Sequence, residues 1–404
     1  MYRKLSSSCR TIEICGITIF GCADTGVIIG LNDECKALVK MINDEVDFDL
    51  TDLTEGQRSF YQALCENGYF AGEELSKQLV KATLHVTSRC NLDCEGCYSY
   101  ENKRNMKQDL SLDQIKKILD NLANTGFEKL SISGGEPFMH DDIIEILKYA
   151  KGELKVPSIL CTSNGFATLE TYMEASKYLD ILSFSLDGFN DTSSTIRKNS
   201  EFASILGKMI YLRKHGVNVE ITFTLHKKNL VNYDKMRDFA ELFEIPFHFS
   251  IYSVEEFNER KSELILDYDD IDEIFSFANI NNEEISSVDL RCSTICGLGC
   301  KVISIGSDGG IYPCMMFNGN NDFLLGNALY DKISDIITSE NNRFLTLTVD
   351  DINGCKDCHI RYMCGGGCRF RGYSLSKNIL DPDAKLCKGK IQKLENDLSK
   401  LIQR

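Results

Sequence analysis

At 404 residues, 43% of them hydrophobic, the chain is long enough for a large core and for two or three domains. A net charge of −15 argues against nucleic-acid backbones and anionic membranes as main partners, because both need a basic face. Eighteen cysteines are far more than packing requires. A disulfide framework would suit a short secreted protein, but the start of the chain does not resemble a secretory signal. The uncharged run 14–23 is broken by Gly16 and Gly21 and is too short to cross a bilayer. The composition reads as that of a reduced, cytoplasmic chain rich in metal ligands.

Residues 1–81 read as a small α+β domain. Short β-rich runs at 11–15, 17–20 and 26–31 are separated by Gly16 and by polar residues. Asn32 then opens a helix carrying Leu38, Met41 and Ile42 on one face, and residues 54–65 form a second helix that stops at Asn67 and Gly68.

From residue 82 to 288 the pattern alternates. Strands are expected at 83–86, 130–133, 158–162, 181–186, 219–225 and 247–252, with amphipathic helices at 112–122, 142–151, 169–178, 202–214 and 233–243. Six such units imply a parallel sheet curled into a partial (β/α)6 TIM-like barrel, with chemistry at the C-terminal strand ends. The first strand leads into Cys90, Cys94 and Cys97, spaced C-x3-C-x2-C. Iron–sulfur cubanes are normally held by four thiolates, so three leave one iron open. The bland alternative is a zinc knuckle or buried thiols.

Polar residues crowd the later strand ends. Gly134, Gly135, Glu136 and Pro137 follow the second strand, Ser163 and Asn164 the third, and Ser185 and Asp187 the fourth, with Arg197 shortly after. Taken singly, each could be turn chemistry. In this order after C-x3-C-x2-C and the aromatic Tyr98, they resemble the radical S-adenosylmethionine (SAM) enzymes. The resemblance implies that Cys90, Cys94 and Cys97 hold a [4Fe–4S] cluster whose open iron chelates SAM, and that the Gly134–Glu136 turn holds the SAM amino group. Ser163, Asn164, Ser185 and Asp187 then touch nucleoside or substrate, Arg197 is a candidate for the SAM carboxylate, and Tyr98 packs on cluster or adenine unless it is plain core. In such enzymes SAM is cleaved reductively, and a 5′-deoxyadenosyl radical takes hydrogen from an unactivated carbon.

An acidic stretch at 267–289 marks the boundary of the third region, 289–404. Cys296 and Cys300 come first, a turn at 307–310 delivers Cys314, and Cys355, Cys358, Cys364 and Cys368 follow before Cys387. Alone, the C-x2-C pair would fit a zinc ribbon. The whole order resembles the SPASM extension of peptide-modifying radical SAM enzymes. It implies one auxiliary [4Fe–4S] cluster on Cys296, Cys300, Cys314 and Cys368, and a second on Cys355, Cys358, Cys364 and Cys387. Cys292 or Cys296 could exchange roles with Cys300. Of the cysteines left over (Cys9, Cys15, Cys22, Cys35, Cys65, Cys161 and Cys292), only Cys161 and Cys292 merit a functional test.

With this resemblance, the N-terminal region is similar to a winged-helix-like leader-peptide recognition domain, although a purely structural prelude fits the same elements. The implied activity is a peptide maturase making an intramolecular crosslink, a Cys thioether first, in a ribosomal precursor peptide whose leader docks on the N-terminal domain. Flavodoxin or ferredoxin would supply electrons. Carbon–carbon crosslinking, epimerisation, sulfatase maturation and a non-catalytic iron–sulfur or zinc protein are the alternatives.

Overall fold

The computed structural model describes residues 3–14, 16–22, 27–71, 79–99, 105, 108–189, 196–197, 201–254, 259–267, 269–270 and 297–402. Cys15, Cys292, Cys296 and nearly all of the acidic stretch lie outside them. The described residues within 1–76 and 347–404 form one compact unit, and those within 77–266 and 297–346 form another.

The first unit opens with strands β1 (Cys9–Ile14), β2 (Ile17–Cys22) and β3 (Ile28–Gly30), an antiparallel sheet in the order β1-β2-β3. Helices α1 (Asp33–Asn43) and α2 (Glu55–Glu66) follow. Their starts are where the sequence places them. Asn32 accepts from Cys35 N, and Thr54 and Gln57 form a reciprocal capping box. The sheet is buried on both faces because strand side chains alternate. Phe20 and Cys22 pack with Leu38, Ile42 and Leu64 of the helices. The register partners Ile12 and Ile19 pack the other way, onto Val349, Ile352, Ile360 and Met363.

The second unit is built on a nine-stranded sheet. Six strands are mutually parallel: β4 (Lys81–His85), β5 (Lys129–Ser133), β6 (Ser158–Ser163), β7 (Ile181–Ser185), β8 (Val219–Leu225) and β9 (Phe247–Ile251). Between them run α3 (Leu112–Ala123), α4 (Ile143–Lys148), α5 (Leu169–Ala175), α6 (Phe202–Lys214) and α7 (Tyr233–Leu242). This is the α/β architecture expected from the alternation. The expected helix 142–151 is α4 continuing into a π-helical turn, Tyr149–Glu153.

Three further strands, β10 (Val302–Ile305), β11 (Gly310–Tyr312) and β12 (Gly326–Asn327), extend the same sheet, giving the order β12-β11-β10-β4-β5-β6-β7-β8-β9. β10 runs parallel to β4, pairing Val302 with Lys81 and Ile305 with Leu84. The segment 289–404 therefore contributes to both compact units, since backbone pairing takes part of it into the barrel sheet.

Candidate iron–sulfur and S-adenosylmethionine site

The loop after β4 is held to the loop after β5 by main-chain bonds. Gly135 N donates to Thr87 O at 2.8 Å, and Glu136 N donates to Arg89 O at 2.8 Å. That approach requires glycine. A Cβ on Gly134, where φ is +143°, would sit 2.4 Å from Thr87 O, and one on Gly135 would sit 2.1 Å from Arg89 O. Gly96, at φ +69°, is needed for a different reason, because its Cβ would fall 2.0 Å from the Tyr252 hydroxyl. On the other side, Asp109 accepts from Thr87 Oγ1 at 2.5 Å and Arg89 Nε at 2.7 Å, and Asn105 Oδ1 accepts from Cys90 N at 2.9 Å.

Cys90, Cys94 and Cys97 are half-buried on this loop, none of them in a disulfide. Asn164 Nδ2 lies 3.7 Å from Cys90 Sγ and donates to Asn91 Oδ1 at 2.9 Å. Asn164 N in turn donates to Glu136 at 2.7 Å, and Ser163 Oγ donates to it at 2.8 Å. Gly134, Gly135, Glu136, Ser163 and Asn164 thus converge on Cys90. The Glu136 carboxylate is buried, and its two oxygens accept from Ser163, Asn164 and Phe138 N. Burial pushes its carboxyl up to about 7, against the pull of those hydrogen bonds. This side chain ties two strand ends together, leaving the glycine main chain as the part of the turn that can meet a ligand.

Arg197 donates through Nε to Asp187 and through Nη2 to Thr224 Oγ1 at 3.4 Å. Thr224 N donates to Asp187 Oδ1 at 2.7 Å. Burial alone would lower the guanidinium pKa; Asp187, then Cys94 and Cys97, hold it raised. Arg197 is thus a fixed positive charge beside the cysteine loop, committed to Asp187. Ser185, buried at the end of β7, is the register partner of Thr222. Tyr98 OH hydrogen-bonds Ser133 Oγ at 2.7 Å, its ring centroid lies 5.7 Å from that of His85, and burial pushes the phenol up to about 12.

Gly299 N donates to Pro313 O at 3.0 Å, which brings together the residues just before Cys300 and Cys314. Both of these cysteines belong to the second unit and Cys368 to the first, while Cys296 lies outside the described residues. In the first unit, Cys355, Cys358, Cys364 and Cys387 line one cavity of about 120 Å³. Three consecutive glycines, Gly365, Gly366 and Gly367, turn beside it at φ +64°, +73° and +73°. Burial pushes the Cys355 thiol up to about 11 and raises Cys387 as well. Four thiolates around one space cannot stay charged together without a cation, which suits a metal cluster. Among the described residues no three His, Cys, Asp or Glu side chains close on a single-ion position.

Sequence reasoning passed over Asn105, Asp109 and Tyr252, which support the loop from distant positions without a motif to mark them. Thr224, which braces Asp187 and Arg197, carries no motif either; its place on the fifth barrel strand was the available signal. Cys161 is fully buried with its thiol pKa raised by burial, as befits a core residue.

The model of the Radical SAM superfamily matches residues 84–243, and that of the SPASM iron–sulfur cluster-binding domain matches residues 296–359. The AlbA protein of antilisterial bacteriocin subtilosin biosynthesis in Bacillus subtilis is 28% identical over 276 residues, covering 64% of this chain and 59% of AlbA. The chain spans about half the length of the curated relatives it matches. Among solved structures, native anSMEcpe with bound AdoMet aligns with a TM-score of 0.65 at 18% identity, over 80% of this chain and 98% of that one. Streptococcus suis SuiB aligns with a TM-score of 0.60 at 17% identity, over 95% of this chain and all of that one. At such identities these two likenesses establish the fold.

Proposed function

We propose that this chain, a radical SAM protein with a SPASM domain, modifies a ribosomally made precursor peptide by installing an intramolecular crosslink, a Cys thioether first. The radical SAM domain binds SAM and a [4Fe–4S] cluster, and the SPASM domain binds auxiliary iron–sulfur clusters. Together the cluster and SAM supply a 5′-deoxyadenosyl radical that takes hydrogen from an unactivated carbon. The chain's own residues position that chemistry. Cys90, Cys94 and Cys97 hold the reactive cluster, Asn164 orients the Cys90 side, and Arg197 keeps a fixed positive charge near Cys94 and Cys97. The glycine main chain at 134–135 offers close approach for SAM.

The observation that carries the reading is the four-thiol cavity of Cys355, Cys358, Cys364 and Cys387 in the same chain as a three-thiol loop on a radical SAM barrel. Two relatives support the peptide substrate: AlbA serves bacteriocin biosynthesis, and SuiB is seen bound to the precursor peptide SuiA. The N-terminal β1-β2-β3 sheet offers strand edges to which a leader could add as a further strand, with α1 and α2 backing it. Flavodoxin or ferredoxin is the proposed electron donor, and the cytoplasm the proposed compartment. Among the described residues no helix is long and apolar enough to cross a membrane. The direct test is anaerobic SAM cleavage: the reconstituted protein should release 5′-deoxyadenosine and methionine, and Cys90→Ala should release neither. Cleavage that persists in Cys90→Ala would overturn the reading.

A further inference from the structure

Arg369 is among the largest side chains in the protein to be fully buried, at 1% exposure, and it lies behind the cavity lined by Cys355, Cys358, Cys364 and Cys387. Its guanidinium is wrapped in main-chain carbonyls. Nη1 donates to Ile379 O and Asp381 O, each at 3.1 Å, Nε donates to Gly367 O at 3.4 Å, and Nη2 donates to Gly366 O. Gly366 and Gly367 are themselves cavity-lining residues, so the charge sits one peptide behind the cavity wall. The glycines make this wrapping possible. A Cβ on Gly366 would stand 2.4 Å from Ile352 Cδ1.

A second cation faces the same space. Lys390 lines the cavity, with Nζ 3.4 Å from where a Gly367 Cβ would be. Among the described lining residues the carboxylate is Asp383, which is paired with Arg371 at 2.7 Å. Arg361, also lining, is paired with Asp350 at 2.8 Å. Arg369 and Lys390 bring further positive charge to this wall, Arg369 also acting on the Asp381 carboxylate. Four thiolates and a cluster carry net negative charge, which is costly to bury without a counter-charge. A guanidinium cannot lose its proton, so the compensation is permanent.

We propose that Arg369, assisted by Lys390, raises the reduction potential of an auxiliary cluster held by Cys355, Cys358, Cys364 and Cys387, biasing it toward accepting electrons. This rests on the reading that those four thiolates hold a cluster. Reduction adds one electron and one negative charge to the cluster, with no bond formed or broken. A fixed cation beside it stabilises the reduced state more than the oxidised one, and net charge is among the protein's main controls on such potentials.

The test is an anaerobic potentiometric titration of the reconstituted full chain, with dithionite as reductant and electron paramagnetic resonance as readout. The signal of this cluster is the one lost, together with its iron, in Cys387→Ala. In Arg369→Met the midpoint of that signal should move to more negative potential while the remaining signals stay in place and iron content is unchanged. An unchanged midpoint with full iron would overturn the proposal. If Arg369→Met fails to hold the cluster, Lys390→Met decides: a negative shift supports the proposal and no shift overturns it. If Cys387→Ala loses neither iron nor signal, the four-thiolate reading itself fails, and the proposal with it.

Discussion

Arg197 is paired through Nε with Asp187, a carboxylate with no exposed side-chain surface, and Thr224 braces both partners. Removing one member leaves a buried charge without its partner, which costs about 3–5 kcal/mol. Asp187→Asn and Arg197→Met should therefore each lower stability by roughly 3 kcal/mol in denaturant unfolding. The double variant should lose clearly less than the sum, because neither charge is then stranded. Additive losses would mean that the pair is not coupled.

Gly96 and Gly135 are both closed to a Cβ, but by different atoms. At Gly135 the obstacle is the Arg89 carbonyl, whereas at Gly96 it is the Tyr252 side chain. Gly135→Ala should thus lose the iron bound at Cys90, Cys94 and Cys97 with no rescue by a second side-chain change. Gly96→Ala should lose it too, but Gly96→Ala with Tyr252→Ala should recover part of it, limited by the left-handed backbone at φ +69°. Iron content of the reconstituted variants is the measurement.

His85 is buried, and burial pushes its pKa down to about 4 from the ordinary 6.5. The unfolded chain therefore takes up a proton more readily than the folded one between those values. The stability contributed by neutral His85 is fully present above pH 6.5 and is lost as pH falls toward 4, a loss on the order of 2–3 kcal/mol. In the apo-protein, His85→Gln should show a shallower fall in unfolding free energy over this window. An identical pH profile would contradict the assignment.

The barrel was legible because its strands are apolar runs set between amphipathic helices with clear starts, such as the Ser111–Gln114 capping box ahead of α3. The site residues at the strand ends were legible because each follows its strand directly: Gly134 after β5, Asn164 after β6 and Asp187 close behind β7. Pairing between distant segments is what the sequence could not report. β10 pairs with β4 across more than two hundred intervening residues, and no local pattern reports such a pairing. For the same reason Tyr252 at Gly96 and Asp109 at Arg89 were invisible until the chain was folded. Nothing in the local sequence marks Arg369, next to Cys368, as buried. Only the ring of carbonyls around it shows that it is an interior charge.

Iron counting separates the two kinds of thiolate. Cys90→Ala should abolish SAM cleavage while keeping the auxiliary iron, and Cys387→Ala should lose auxiliary iron while still cleaving SAM. If Cys387→Ala also abolished cleavage with the Cys90, Cys94 and Cys97 cluster intact, the auxiliary cavity would have a role in the first step that the proposed function does not give it.

The most direct measurement is mass spectrometry of any Cys-rich precursor peptide found encoded beside this chain, after anaerobic incubation with the reconstituted protein, SAM and reductant. The expected result is 5′-deoxyadenosine release, together with loss of a pair of hydrogens per crosslink and cysteines that no longer react with an alkylating agent. Loss of the hydrogens with every thiol still reactive would replace the thioether with a carbon–carbon link. A fully iron-loaded protein that releases no 5′-deoxyadenosine and leaves the peptide unchanged would contradict the account.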